Sequence, residues 1–376
     1  MIAPPGLEGV AVKETKICLI DADAGKIYYR GYDLEELAER STYEETAYLL
    51  LYGRLPRRAE LEEFRARLAS LRRPPRHVEE AAGLAASAGA EPIDALRTAV
   101  SLMAAGEDLS DRSAEAELAR GIKAIAAMPY VVAHFDRARR GLKPADAEYR
   151  GHAQYFLASL RGEEPDPKEA RALDVMFIVY AEHGMNNSSF TAVTVASTLA
   201  DMYAVITAAI SSLKGPLHGG ANVDAAKMIA EIGDPERVAE WVDKQLAAGR
   251  RIPGFGHRIY KRGPDPRLKI LKGLAKGLAE LKGDFAWLEI AEGLEEYVGA
   301  KLAAKGIYPN TDLYASVIFH YLGLPVDLNL PAFAMARAAG WAAHALEYRA
   351  QNRLIRPTER YVGPVNLRYQ PLEERG

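Results

Sequence analysis

Apolar residues recur at helical spacing along most of the chain. Between residues 34 and 51 they lie three or four positions apart, which is typical of helices that bury one face. This first helical stretch ends near Gly53, and the helical spacing of apolar residues then continues as far as residue 352. It predicts further helices at residues 58–71, 78–88, 93–103, 114–140, 148–160, 167–182, 221–232, 235–248, 266–281, 285–304, 310–322 and 331–352.

The first thirty-odd residues have a different pattern. Residues 10–12, 15–20 and 26–30 are short runs that contain apolar, β-branched or aromatic side chains. The turn-forming sequence at 21–25 separates the last two runs, so we expect a small β-hairpin there. Strands do not alternate with helices, and no GxGxxG motif follows a strand, which argues against a Rossmann domain. The sequence therefore predicts an all-α fold with a small N-terminal β-hairpin.

Residues 188–213 form an almost uncharged segment in which Asp201 is the single charged side chain. A helical segment that is apolar on all sides is buried, either in the centre of a domain or at a subunit interface. A membrane span is the weaker interpretation, because hydroxyl-bearing residues are frequent and the apolar runs are short. We interpret residues 188–213 as part of a helical dimer interface.

The composition limits which partners the protein can bind and indicates its cellular compartment. The chain has 376 residues, which suits two domains, and 49% of them are hydrophobic. Its formal net charge is −3, so no global basic field attracts nucleic acid or a membrane surface. Cys18 is the single cysteine, which excludes an intrachain disulfide and a thiolate metal cage. Without a signal-like N-terminus we expect a cytoplasmic protein, and the scarcity of Asn and Gln favours a thermophilic source.

Two histidines lie among glycines in the second half of the chain. His218 belongs to the sequence KGPLHGGAN at 214–222, and His257 to PGFGHR at 253–258. A helix is predicted directly after His218, and exposed N–H groups at a helix start disfavour a protonated imidazole. A neutral imidazole at such a place can donate a hydrogen bond to a developing enolate. A single turn of this kind is more often structural, but two of them favour a functional site.

A carboxylate stands at a third helix start, in the sequence YPNTDLY at 308–314. Asn310 follows a proline and is a suitable N-cap, which places Asp312 in the first helical turn. The helix dipole favours the ionised carboxylate there, and an ionised carboxylate in a pocket can act as a general base. Taken alone, Asp312 is better explained as an ordinary first-turn residue that supports the cap.

These motifs together resemble the citrate synthase family. GPLHGGAN, GFGHRIYKRGPDPR and YPNTD occur in the family's order, and HGMNNS at 183–188, RAAGWAAH at 337–344 and Arg356-Pro357 resemble further segments. The matches extend from residue 29 to residue 357. The resemblance implies a short, dimeric member of the bacterial and archaeal type with a two-domain citrate-synthase-like helical fold. Its large domain would comprise residues 1–218 and 318–376, and its small domain residues 219–317.

The resemblance also implies a reaction. Members of the family condense acetyl-CoA with oxaloacetate and hydrolyse the citryl thioester, which gives citrate and coenzyme A, without a tightly bound cofactor. In this sequence Asp312 matches the base, His218 the group that stabilises the enol or enolate, and His257 the group that polarises and protonates the ketone. One carboxylate and two histidines are the minimum set for a condensation without a metal.

Further residues match the family's binding positions. Arginine binds carboxylates in bidentate fashion, and oxaloacetate and citrate carry two and three of them. The substrate-binding matches are His183, Asn187, Arg267, Arg337 and Arg356, and the last of these would reach the partner subunit's site. The candidates for the phosphates of coenzyme A are Arg258, Lys261, Arg262 and Lys305. For any one of these residues considered alone, a surface ion pair or a solvated helix face is an ordinary alternative.

Three other functions stay open at this point. A 2-methylcitrate synthase would perform the same chemistry on propionyl-CoA. A helical scaffold or a catalytically silent relative is a different class, and the complete set of His218, His257 and Asp312 argues against it. A metal-dependent hydrolase is disfavoured because no histidine pair has HExxH spacing. We therefore predict no metal site.

Overall fold

The computed structural model describes residues 2–145, 147–149 and 151–375. Within these ranges the protein forms sixteen α-helices and one small sheet. The sheet has three antiparallel strands in sequence order, β1 (Cys18–Asp21), β2 (Lys26–Tyr29) and β3 (Tyr32–Asp33). Cys18 pairs with Tyr29 and Asp21 with Lys26, so the hairpin has the predicted turn. The all-α class with an N-terminal hairpin is thus confirmed, while the third strand was not predicted.

The helices follow the hydrophobic pattern closely. Most of them begin and end within a few residues of the predicted bounds, and Gly53 ends α2 in the left-handed region with φ of 79°. Their bounds are α1 (Leu34–Arg40), α2 (Tyr43–Tyr52), α3 (Arg58–Ser70), α4 (Arg76–Ser87), α5 (Pro92–Leu102), α6 (Ala114–Arg139), α7 (His152–Arg161), α8 (Pro167–Tyr180), α9 (Asn187–Ala196), α10 (Met202–Leu213), α11 (Gly220–Ile232), α12 (Val238–Ala247), α13 (Leu268–Lys282), α14 (Ala286–Leu302), α15 (Thr311–Tyr321) and α16 (Asn329–Arg349).

Two predicted segments differ from the structure. The helix expected from residue 148 begins at His152, and Arg150 lies outside the described residues. The uncharged segment at 188–213 is divided into α9 and α10. Asp201 accounts for the division, because its side chain caps α10 by accepting a hydrogen bond from the N–H of Ala204 at 3.1 Å. The one charged residue of the segment therefore marks a helix start.

Helix α16 is buried along most of its length and packs against helices from the first half of the chain, including α2, α6, α8, α9 and α10. At Gly340 it approaches the end of α8 so closely that a Cβ would collide with the carbonyl oxygen of Ala181 and with the Glu182 carboxylate. Glycine permits this contact because it has no side chain. The contact fixes Arg337, one turn earlier on α16, beside the segment that carries His183.

Helices α11–α15 pack mainly on one another. In addition, α11 contacts α16, and α13 contacts α8. One apolar cluster extends through both groups of helices. The division into domains at residues 219 and 317 stays a prediction. No helix among the described residues combines the length and the apolar composition that a membrane crossing requires.

Candidate active site

Two loops from distant parts of the chain pair with each other and carry predicted catalytic residues. The N–H of Gly256 donates to the carbonyl oxygen of Tyr308 at 2.7 Å, and the N–H of Asn310 donates to Gly254 at 2.9 Å. Gly254 and Gly256 have φ of 78° and 87°, a backbone region that L-residues with side chains rarely adopt. The pairing holds the loop of His257 against the start of α15, where Asp312 lies.

Asp312 lies in the first turn of α15, as predicted. Asn310 caps the helix by accepting a hydrogen bond from the N–H of Asp312 at 3.0 Å. Burial raises the pKa of the Asp312 carboxyl to about 6, although Asn222 and the nearby Arg267 cation both favour its ionised form. The helix start thus does not keep this pKa low. Asp312 is still ionised at neutral pH and is a stronger base than an exposed aspartate.

His218 precedes α11 and faces the start of α9. Its Nε2 lies 2.9 Å from the hydroxyl oxygen of Ser188 and 3.3 Å from the backbone nitrogen of Ser188. Burial and, to a smaller extent, the Arg337 cation lower the pKa of His218 to about 4. The ring is therefore neutral at pH 7. Since a backbone N–H can only donate, Nε2 is an acceptor and the ring proton is on Nδ1. His218 is consequently a hydrogen-bond donor through Nδ1.

Ser188 is itself held by two neighbours. The indole N–H of Trp341 on α16 donates to the Ser188 hydroxyl oxygen at 3.1 Å, and that oxygen lies 2.8 Å from the side-chain oxygen of Asn186. All three side chains belong to elements packed in the core around α9 and α16. The support of His218 is therefore rigid, and it comes from parts of the chain far from residue 218.

His257 has the opposite tautomer. Its Nδ1 accepts a hydrogen bond from the N–H of Ile259 at 3.1 Å. Burial lowers the pKa of His257 to about 4, and the Arg267 cation contributes in the same direction. In the neutral ring the proton is then on Nε2, which makes this nitrogen a donor. The ring of Tyr260 stacks on His257 at a centroid distance of 4.6 Å.

Two buried arginines supply positive charge. Both Arg267 and Arg337 have less than 5% of their surface exposed. The Nε and Nη2 of Arg267 donate to the two oxygens of Asp265 at 3.0 and 2.6 Å, while the Nε of Arg337 donates to the carbonyl oxygen of Tyr180 at 2.5 Å. Burial alone would lower the pKa of Arg267, but the Asp265 carboxylate outweighs this effect and raises it. Burial lowers the pKa of Arg337.

The two guanidinium groups connect the candidate residues electrostatically. Arg337 lowers the pKa of both His218 and His183, and Arg267 acts on His183, His257 and Asp312. His183 and His257 are also in direct edge contact, with ring centroids 5.4 Å apart. The predicted catalytic trio, His183 and two of the predicted arginines therefore lie around one place. That place holds two guanidinium groups beside the carboxylates of Asp312 and Asp265, and guanidinium groups can bind the carboxylates of a small polyanion.

Other predicted residues lie elsewhere. Asn187 is exposed, and its side-chain oxygen accepts a hydrogen bond from Ser212 at 2.6 Å. Arg356 is exposed in the segment after α16. Arg258, Lys261, Arg262 and Lys305 are all exposed; Arg262 forms an ion pair of 2.9 Å with Asp23, and Lys305 is adjacent to Gly306, which contacts the Lys261 backbone. Among the described residues no side-chain hydrogen bond or ion pair joins them to His218, His257 or Asp312, although the Lys261 cation adds to the effect of burial in lowering the pKa of His257.

Ligand atoms of His183, His257 and Asp265 lie within 4.8 Å of one another, a spacing that could hold a metal ion. Protein groups already occupy several of these atoms. Both oxygens of Asp265 accept hydrogen bonds from Arg267, and the Nε2 of His183 bonds to Tyr260. A cation at this place would have to break those hydrogen bonds and lie beside the buried Arg267 cation, so these donors fit a metal poorly.

Comparison with known proteins shows the family of this chain. A family model described as the citrate synthase C-terminal domain matches residues 6–358. A citrate synthase from Haloferax volcanii is 43% identical over 98% of this chain and 98% of its own length. The chain belongs to the citrate synthase family. It is therefore an acyltransferase of that family.

Solved structures of citrate synthases share the fold along the entire chain. The enzyme from Pyrobaculum aerophilum has a TM-score of 0.92 and 39% identity, and covers 99% of this chain and 95% of its own. The citrate synthase of the thermophilic archaeon Thermoplasma acidophilum has a TM-score of 0.92, 34% identity and 99% coverage of both chains. That structure is a ternary complex with carboxymethyl coenzyme A and oxaloacetate.

Sequence reasoning did not identify three side chains that support this citrate synthase site: Ser188, Tyr260 and Asp265. A signal exists for Asp265, because an Asp two residues before Arg267 forms an Asx turn, with the Arg267 N–H donating to Asp265 at 3.0 Å. Ser188 and Tyr260 stand within the quoted His motifs. Nothing in the local pattern reveals that they contact histidines 30 and 77 residues away.

Proposed function

We propose that this chain is a citrate synthase that condenses acetyl-CoA with oxaloacetate and releases citrate and coenzyme A. The observation that carries the proposal is the presence of one buried carboxylate with a pKa of about 6 beside two neutral histidines that keep an N–H donor. A thioester methyl is a weak carbon acid, and removing its proton requires a base and stabilisation of the oxygen at the same time.

Each residue has one task in the proposed reaction. Asp312 takes a proton from the acetyl methyl group while the Nδ1–H of His218 donates to the thioester oxygen. The resulting carbon nucleophile attacks the ketone carbon of oxaloacetate, and the Nε2–H of His257 donates to the ketone oxygen, which becomes the hydroxyl. Water then cleaves the citryl thioester. Arg267, Arg337 and His183 would bind the carboxylates of oxaloacetate.

Coenzyme A would bind along the exposed basic residues Arg258, Lys261, Arg262 and Lys305. Arg262 would exchange its ion pair with Asp23 for a phosphate, at little cost because both side chains are largely exposed. Asn187 would reach oxaloacetate after a rotation away from Ser212. Closure of a small domain at 219–317 onto the large domain would exclude water from the enolate.

We further propose a cytoplasmic homodimer in which Arg356 completes the partner subunit's site. The segment after α16 offers a binding surface for a second copy of the chain, because it is extended and leaves many apolar side chains exposed. They are Leu354, Tyr361, Val362, Val365, Leu367, Tyr369 and Leu372. An exposed apolar surface of this kind marks an interaction site. The nearly uncharged α9 and α10 pair is our proposed centre of the interface, and a thermophilic source fits the composition.

A second candidate is 2-methylcitrate synthase, which uses propionyl-CoA. A protein of that name from Mycobacterium tuberculosis is 38% identical over 95% of this chain and 90% of its own length. The two activities differ by one methylene in the acyl pocket, and such a difference is worth roughly 10–200-fold in kcat/KM.

The acyl preference tests the proposal. We expect kcat/KM for acetyl-CoA to exceed that for propionyl-CoA by at least about tenfold, measured as oxaloacetate-dependent release of free thiol. Reactions without oxaloacetate are the control for simple thioesterase activity. A higher value for propionyl-CoA would favour 2-methylcitrate synthase, and no thiol release with either substrate would favour a catalytically silent relative.

The pH dependence of kcat/KM follows from the ionisation of Asp312 in the free enzyme. The base works only as a carboxylate, and burial raises its pKa to about 6, so kcat/KM should fall tenfold per pH unit below about pH 6. The two catalytic histidines, with pKa values of about 4, stay neutral throughout this range. Steady-state rates between pH 5 and 8 over a range of substrate concentrations give kcat/KM at each pH. A plateau that continues to pH 5 would contradict the assignment of the base.

A further inference from the structure

Tyr260 connects two of the site's histidines. Its side chain is buried, with 3% exposure, and its hydroxyl oxygen lies 2.8 Å from the Nε2 of His183. The same ring stacks on His257 at a centroid distance of 4.6 Å and an interplanar angle of 29°. Tyr260 thus forms a hydrogen bond with the imidazole of His183 and packs against one face of the His257 ring.

The direction of the Tyr260–His183 hydrogen bond can be assigned from the chemistry of the two groups. A phenol is a stronger donor than a neutral imidazole N–H, and an imidazole nitrogen is a stronger acceptor than a phenol oxygen. Burial raises the pKa of Tyr260 and lowers that of His183, so neither group is charged at neutral pH. The phenol O–H therefore donates to Nε2, and the proton of the His183 ring is on Nδ1.

The remaining nitrogen of His183 is available for a ligand. Nδ1 has no hydrogen-bond partner within the described residues. It is also not fully buried, so a ligand can reach it. His218 and His257 show the same arrangement, in which one ring nitrogen accepts a hydrogen bond from the protein and the other holds the proton. Backbone N–H groups set the tautomer in those two rings, whereas a side chain does so for His183.

We infer that Tyr260 is a positioning residue for oxaloacetate, which holds His183 in the tautomer that donates through Nδ1 to an oxygen of that substrate. The inference rests on the proposed function. Without the phenol, His183 loses its fixed tautomer and its fixed ring orientation, and part of the population presents a lone pair instead of a proton to the anionic substrate. Tyr260 also buttresses the His257 ring by stacking, and this second task needs the ring but not the hydroxyl.

The kinetic test separates these two tasks. Tyr260→Phe removes the hydroxyl and keeps the ring, so the KM for oxaloacetate should rise about tenfold, the worth of one hydrogen bond, with kcat within about twofold of the parent. Tyr260→Leu also removes the stacking on His257, so kcat should fall as well. Tyr297→Phe, on α14, is the matched control and should change neither constant.

A double-mutant cycle shows whether Tyr260 acts through His183. In a His183→Asn background the phenol has no imidazole to orient, so adding Tyr260→Phe should change the oxaloacetate KM by less than about twofold. A tenfold rise in both backgrounds, or an unchanged KM in Tyr260→Phe alone, would overturn the inference. Oxaloacetate-dependent thiol release by the unaltered enzyme is established first, so a failure of the proposed function is recognised separately.

The tautomer can also be measured directly in the unaltered protein. In a sample labelled with [15N]histidine, the His183 signals are identified by their loss in His183→Asn. We expect the chemical shift of an unprotonated nitrogen at Nε2 and of a protonated one at Nδ1. The reverse pattern would overturn the inference even if Tyr260→Phe did not fold.

Discussion

Asp312→Asn should lower kcat by about 10³-fold while oxaloacetate binds with nearly unchanged affinity. Asparagine has the same shape as aspartate but cannot accept the methyl proton, and general base catalysis contributes roughly 10²–10⁴-fold. The backbone is preserved, because the N-cap bond from the Asp312 N–H to Asn310 does not involve the altered side chain. Steady-state kinetics gives kcat, and calorimetric titration with oxaloacetate gives the affinity.

An isotope effect shows whether the affected step in Asp312→Asn is proton abstraction. With acetyl-CoA deuterated at the methyl group, the variant should show a larger primary isotope effect than the parent, since breaking the C–H bond becomes more nearly rate-limiting. Asp224→Asn is the matched control, an exposed aspartate on α11 that should leave kcat unchanged. Turnover in Asp312→Asn comparable to the parent would remove Asp312 from the role of base.

Local sequence determined most of the helical architecture. Residue spacing, glycine ends and caps such as Asn310 act within a few residues, so they can be recognised without the fold. The division of residues 188–213 at Asp201 was not predicted. A lone aspartate in an apolar segment is also a helix-start signal, because its carboxylate can accept a hydrogen bond from a first-turn N–H.

The environment of the site could be predicted only in part. The three catalytic candidates stand in motifs, but their pKa values depend on burial and on Arg267 and Arg337, which come from other elements. The helix start suggested a low pKa for Asp312, and burial in the folded protein outweighs it. Desolvation is a property of the whole packed structure, so no local pattern reports it.

The tautomers of the histidines are a second property that depends on long-range contacts. Ser188 lies on α9 and orients His218, and Trp341 on α16 orients Ser188 in turn. These contacts exist because α9, α10 and α16 pack against one another. A sequence motif can show which residue is present, but the hydrogen-bond partner that determines its proton position is visible only in the fold.

His218→Ala should lower kcat by about 10²–10³-fold, the usual cost of removing one donor to a developing oxyanion. The Nδ1–H of His218 is the donor that we assign to the thioester oxygen, so its loss destabilises the enolate and not the bound oxaloacetate. The oxaloacetate dissociation constant should therefore stay within about threefold of the parent. Stopped-flow or steady-state thiol release measures kcat, and calorimetry measures binding.

Two further variants give the His218 prediction its controls. His218→Gln keeps an N–H donor on its amide, so it should recover part of the activity that His218→Ala loses. His77→Ala, an exposed histidine on α4, should have the parent's kcat. If His218→Ala kept full activity, another donor would have to stabilise the enolate. If Gln and Ala were equally impaired, the shape and rigid support of the imidazole would matter more than the presence of a proton, because Ser188 and Trp341 orient a ring and not an amide.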